Sequence, residues 1–232
     1  ILGGRGTVSL AAIVPLVGLI VLLAITRGSP RVPLRAKGER ARVSSVVIRL
    51  ALYGGCLGLT VGSLQTYLPS YAQETFGLTT AQGGALVAVF GLTGFIARLT
   101  AGSLSERIFG HHRTLAAMGA MTGVAALLLA IAPSDAWLWP VAILIGLGPL
   151  AWNVVGNLAV MELSPPGAAG HGSGVMMSGF LGGIALGAPI FGGVVDLLGT
   201  YRPGWIAVAC LGVFAAWLAG GIRQDRVTPV GS

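Results

Sequence analysis

Charge is what this chain lacks most. Only 9% of its 232 residues are charged, against roughly 25% in an ordinary soluble domain, which excludes a surface kept wet on all sides. Lysine is reduced to Lys37 alone, between two apolar runs, so no helix offers an amine for a retinal-type Schiff base. The two cysteines, Cys56 and Cys210, each sit inside an apolar run and share no metal-ligand spacing. They read as small apolar residues rather than as a disulfide or a metal site. The three histidines, His111, His112 and His171, fall between apolar runs without a spaced acidic partner. No catalytic constellation, cofactor site or metal site is therefore expected. Ionisable residues are also nearly missing from the runs themselves. Arg49, Arg98 and Glu162 fall at run ends on one side and Asp196 near an end on the other, so no mid-membrane proton-carrying carboxylate is expected in this stretch.

What is present is apolar length. Hydrophobic residues make up 54% of the chain, and runs long enough to cross a bilayer are predicted at 8–25, 46–69, 81–104, 114–132, 137–161, 173–198 and 203–222. The connectors carry turn chemistry: Pro69-Ser70 leading to Gly77, Pro133-Ser134-Asp135, Ser164-Pro165-Pro166-Gly167, and Gly199 through Pro203. Only the stretch from Thr26 to Ser45 is long, and it is rich in Arg. Of the 14 Lys and Arg residues, all but Arg5 and Arg202 fall on the side of that connector. The positive-inside rule makes that side cytoplasmic. The net charge of +7 thus reflects topology, with anionic lipid contact as a by-product and nucleic acid not expected as a partner. The start at Ile1, without Met, predicts a fragment whose upstream sequence is missing.

Within the runs, small and polar residues are patterned. At 100° per residue, Tyr53, Cys56, Thr60, Ser63 and Tyr67 form one stripe of the second run, and Gly54, Gly58 and Gly62 form the opposite one. One face is expected to pack on a neighbouring helix and the other to offer hydroxyls to a cavity. Gln65 lies nearer the glycine face. The fifth run places Asn153 and Asn157 one turn apart, next to Trp152 and on the side of Gly146, Pro149 and Gly156. Their amides serve either solute contact or interhelical hydrogen bonds, and Pro149 frees a backbone carbonyl nearby. Gly179, Gly183 and Gly187, followed by Pro189, repeat the small-residue spacing in the sixth run, as do Gly119 and Gly123 in the fourth.

The stretch from Gly94 to Arg113 contains Arg98, Gly102, Glu106, Arg107 and Gly110. It resembles the G-x-L-x-D-R-x-G-R-R signature of the major facilitator superfamily, in the weakened form found in the second half of its members. Gly102, Leu104, Arg107, Gly110 and Arg113 fit; Glu106 replaces Asp, one extra residue precedes Gly110, and His111 replaces a basic residue. The physics stands beside the name: Arg98, Gly102 and Glu106 are four apart and share a helix face. There Gly102 admits a neighbouring helix and Glu106 can pair or cap, as a cytoplasmic gate requires. Gly187-Ala188-Pro189-Ile190-Phe191-Gly192-Gly193 is similar to the family's Gly-Pro-x-x-Gly-Gly element. The Asp196-to-Tyr201 stretch also looks like that family, at the outer end of its eleventh helix.

The resemblance implies an all-α membrane bundle with residues 1–25 as the last helix of an N-terminal half that is otherwise missing. Residues 26–45 would be its basic cytoplasmic linker, 46–222 a six-helix C-terminal half-bundle (the family's helices seven to twelve), and 223–232 a cytoplasmic tail. The second and fifth runs would line the cavity, the third and sixth meet the other half, and the fourth and seventh face lipid. The expected function is alternating-access transport of a small solute in the cell membrane, with a seven-helix receptor or another non-transport membrane protein as the alternative. An intramembrane enzyme is not expected.

Overall fold

The computed structural model describes residues 44–105, 110–164 and 168–222. The predicted first run at 8–25, the Arg-rich connector, Glu106, Arg107 and the tail lie outside these residues. Among the described residues seven helices follow one another: α1 Ser45–Phe76, α2 Thr80–Leu104, α3 His111–Ile131, α4 Leu138–Leu147, α5 Trp152–Leu163, α6 Ala169–Leu198 and α7 Arg202–Gly221. The turn Asp135–Trp137 leads into α4, and α4 and α5 together make one span, Asp135–Leu163. Six spans among the described residues are thus long and apolar enough to cross a membrane.

Local chemistry sets the ends. The Ser44 side chain accepts from the Val47 N–H at the start of α1, and Thr79 with Gln82 forms a reciprocal capping box at the start of α2. Gly77 and Gly199 close α1 and α6 with φ of 69° and 66°, a left-handed turn that a side chain would disfavour. Two boundaries differ from expectation. Helix α1 continues through Pro69 to Phe76, because in lipid a missing hydrogen bond costs less than unwinding a whole turn of backbone. Helix α6 begins at Ala169, so His171 is helical rather than in a loop.

Close backbone approach holds the bundle together. Helices α1 and α6 form the most extensive pair. A methyl group added at Gly58 or Gly62 would run into the carbonyl oxygens of Phe180 and Ile184. One added at Gly179, Gly183 or Gly187 would run into those of Ala51, Gly55 and Leu59. Both glycine stripes therefore face each other across one seam. Gly54, on the same stripe, instead receives the indole of Trp152. Helices α3 and α7 form a second seam through Gly119, Gly123 and Gly212. In lipid such seams are driven by van der Waals contact rather than by water exclusion.

The core has two parts. Tyr53, Leu57, Trp152 and Met176 centre the one toward the Arg-rich side. Leu68, Phe90, Leu129 and Trp205 centre the other. Helices α2 and α6 bury the smallest share of their length.

Candidate functional site

Helix α1 carries the hydroxyl stripe, and the structure buries most of it. Tyr53 and Thr60 have no exposed surface and Ser63 only 3%. The Tyr53 hydroxyl donates to the Leu115 carbonyl of α3 at 2.8 Å. Thr60 donates to Cys56 one turn back in its own helix, and Ser63 donates to Leu59 and to Gly187 of α6. Tyr53 and Ser63 thus bond to neighbouring helices and Thr60 to its own, because a buried hydroxyl in an apolar medium takes a carbonyl within reach. Tyr67 is half-buried against Phe191, with ring centroids 5.0 Å apart, and Gly192 makes room for its hydroxyl. Trp152 is also fully buried. Its ring lies against Gly54 and Gly156 and meets Phe180 edge-on at 5.3 Å.

The interruption between α4 and α5 is where polar groups remain available. Pro149 cannot donate to the preceding turn, and the chain breaks over Gly148–Ala151 near the middle of its span. Arg98 of α2 donates from Nε to the Leu150 carbonyl there at 2.8 Å. The Arg98 backbone lies six residues before the end of α2, about 9 Å along the helix. A cation expected at a membrane edge thus reaches a mid-span carbonyl, which the break in the neighbouring helix sets free. The described acids, Glu74, Asp135, Glu162 and Asp196, stand at helix ends, and none is ion-paired with Arg98. Gly94 makes room for the Leu150 side chain, and Gly102 faces Val154 and Leu158.

On the next turn of α5, Asn157 donates to the Asn153 carbonyl at 2.8 Å. The Asn153 side-chain oxygen is buried without a hydrogen-bond partner. Both asparagines are half-buried, beside the face that meets Gly102. Arg98 thus meets the chain just before α5 at Leu150, three residues before Asn153. The bond from Arg98 to Leu150 was not legible in the sequence, where Arg98 counted only as a cation near a run end and as a member of the gate motif.

At the Arg-rich end, His111 opens α3 and joins Glu162 of α5 at 2.9 Å. A partner for this histidine therefore exists, although no sequence spacing reveals it. Ser105 lies 3.3 Å from the other His111 ring nitrogen but donates its own proton to Gly102. Gly110 takes φ of 75° where the chain turns into α3, and Arg113 projects from the first turn. Arg49 donates to the Gly221 carbonyl at the end of α7, a cation on a helix C-terminus. Cys56 and Cys210 are both free, the first buried and the second exposed.

The opposite end is aromatic. Tyr71 donates to Leu129 at 2.8 Å and packs on Trp205, and Tyr201 donates to Glu74 at 2.9 Å. Burial, then the hydrogen bond and the negative charge of Glu74, push the Tyr201 phenol up to about 12. Tyrosine and tryptophan are enriched where hydrocarbon meets water.

Six apolar spans joined through glycine seams, one of them interrupted at mid-depth, define a multi-pass membrane protein. The profile of the Major Facilitator Superfamily matches residues 1–188, and the chain belongs to that family. Its fold is similar to that of the E. coli fucose:proton symporter, with TM-score 0.66 and 18% identity over 77% of this chain and 43% of that one. It is also similar to the peptide transporter POT solved in complex with sulfate, with TM-score 0.68 and 20% identity over 77% of this chain and 38% of that one. The match covers less than half of either transporter. At these identities the likeness is one of fold.

Proposed function

We propose that this chain supplies the C-terminal half-bundle of a secondary active transporter that moves a small solute by alternating access. The observation that carries this reading is Arg98 bonded to the broken span at Leu150. Ionisable residues at membrane depth mark solute or ion pathways, and transporter sites form at interrupted helices near mid-membrane. Arg98, Asn153 and Asn157 would meet the polar groups of a solute bearing acceptor or anionic atoms. Tyr67 would bound the site toward the outer end, while Tyr53, Thr60, Ser63 and Trp152 would hold α1 in place behind it.

Residues 46–222 would form this half-bundle. Residues 1–25 would be the last helix of the preceding half, 26–45 the cytoplasmic linker and 223–232 the cytoplasmic tail. The sparsely buried faces of α2 and α6 would receive the other half, and α3 and α7 would face lipid. Arg98, Gly102, Glu106, Arg107, Gly110 and Arg113 would form the cytoplasmic gate, which the His111–Glu162 contact would brace. The Arg-rich side would face the cytoplasm of the cell. In this reading the Ser105–His111 contact serves structure rather than catalysis, since Ser105 directs its proton to backbone.

Counterflow by the complete protein against a panel of solutes tests the proposal. Exchange of at least one solute is expected. Absence of flux for every solute, together with ligand-dependent binding of a cytoplasmic protein, would establish the receptor alternative.

A further inference from the structure

Consecutive helices in a bundle usually pack on each other, but α2 and α3 barely touch despite their short connection. Helix α2 packs on α4, and α3 packs on α7. The gap between them holds a cavity of about 300 Å³, lined by Ala97, Ala101, Met118, Met121 and Leu147, with Arg113 at one end. Its walls are apolar. Its hydroxyls, Thr100 and Thr114, already donate to backbone carbonyls of their own helices, so they make little demand on an occupant. Exposed Thr100, Ala117 and Arg113 line its rim, so it opens on the surface of the described bundle.

Charge defines the other requirement. Arg113 has no ion-pair partner among the described residues. Glu162, the described acid at the same end of the bundle, is bonded to His111. A cation thus stands over an apolar slot that descends along α3 from Arg113 to Met121, about 12 Å. This is the profile of a phospholipid: an anionic headgroup above and an acyl chain below. Basic pockets between membrane helices hold anionic headgroups in this way.

We propose that the α2–α3 cavity is a binding site for an anionic phospholipid of the leaflet on the Arg-rich side. Its headgroup phosphate would rest on Arg113, and one acyl chain would lie between Ala97, Ala101 and Met118. The lipid would fill the wedge that the two helices leave open. This site is separate from the α2–α5 junction and does not depend on any transported solute.

The test uses the purified chain in nanodiscs of phosphatidylcholine mixed with phosphatidylglycerol, with retained lipid weighed by native mass spectrometry. Phosphatidylglycerol should be retained in roughly five- to tenfold preference over phosphatidylcholine. Arg113→Gln should abolish the preference. Ala117→Phe, which fills the cavity from its rim, should abolish retention of either lipid, and the smaller Ala117→Val should weaken it. Arg202→Gln, at the opposite end, should change nothing. Circular dichroism on each variant confirms that helix content is kept. Equal retention of the two lipids by the unaltered chain would overturn the proposal. So would a preference that survives both Arg113→Gln and Ala117→Phe, or one that Arg202→Gln weakens equally. Loss with Arg113→Gln but not with Ala117→Phe would mean headgroup adsorption at the surface, which overturns the cavity as the site.

Discussion

Arg98 shows how one residue changes meaning once its partner is known. In the sequence it is a basic residue toward the end of an apolar run; in the structure its Nε holds the Leu150 carbonyl at 2.8 Å. A hydrogen bond to a charged group contributes about 1.5–3 kcal/mol. Arg98→Gln in the complete protein should therefore slow counterflow by roughly ten- to a hundredfold. Arg98→Lys should recover part of that loss by keeping the charge while losing the guanidinium fork. Full rates in Arg98→Gln would make the contact passive. Tyr53 makes the opposite prediction. Its hydroxyl serves Leu115 in a fully buried place, so Tyr53→Phe should lower thermal stability by about 1 kcal/mol and leave apparent solute affinity unchanged. An affinity change without a stability change would return Tyr53 to the cavity. Tyr201 carries a pH prediction. Its phenol is raised from 10.0 to about 12, so the protonated form is favoured in the folded chain. The Tyr201–Glu74 bond should be fully present below pH 10 and lost as pH climbs toward 12. Absorbance titration should find a late tyrosine transition that moves back toward the ordinary value in Glu74→Gln.

At the scale of elements, glycine spacing and proline position have different consequences. The spacing of Gly58, Gly62, Gly179, Gly183 and Gly187 was legible, because a stripe of small residues four apart can only make a narrow face. Which helix it met was not legible, since any second narrow face would serve. The structure pairs α1 with α6, and the two faces of α6 then separate cleanly. A Cβ at Gly183 runs into the Gly55 carbonyl, whereas one at Gly182 meets nothing within 4 Å. Gly183→Ala should cost about 1–3 kcal/mol through overpacking. Gly182→Ala should stabilise this chain by up to about 1 kcal/mol through helix propensity. Equal melting temperatures for the two variants would refute the seam. Pro149 was visible as a helix breaker, but Pro69 and Pro189 are prolines of the same kind inside continuous helices. The difference lies in what surrounds each. At Pro149 the flanking Gly148 abuts Met118 and Thr122 of α3, and Arg98 stabilises the freed carbonyl. Pro149→Ala should raise thermal stability by restoring a helical hydrogen bond and lower counterflow if the break acts as a hinge. A rise in stability with unchanged flux would leave the break without a transport role.

For the whole molecule, a half-bundle should not carry solute by itself. Proteoliposomes holding only this chain should show no uptake, and measurable uptake would refute the two-halves reading. Membrane residence and the number of described spans were legible because hydrocarbon allows few solutions: a backbone that must satisfy its own hydrogen bonds becomes helical, and bilayer thickness dictates its length. The gathering of the site was not legible. Leu150 and Arg98 are 52 residues apart, and their meeting depends on how α2 and α5 are rotated about their axes, which no local pattern specifies. The hydroxyl stripe of α1 carries the same lesson. Its periodicity put Tyr53, Thr60 and Ser63 on one stripe, yet their hydroxyls bond to α3, to α1 itself and to α6 in turn. Sequence alone determined that this chain lives in lipid, in helices with narrow glycine faces, because those properties follow from each segment and its solvent. Only the tertiary structure decided which polar groups are consumed by packing and which are left to meet a solute, because hydrogen-bond partners are supplied by neighbouring helices.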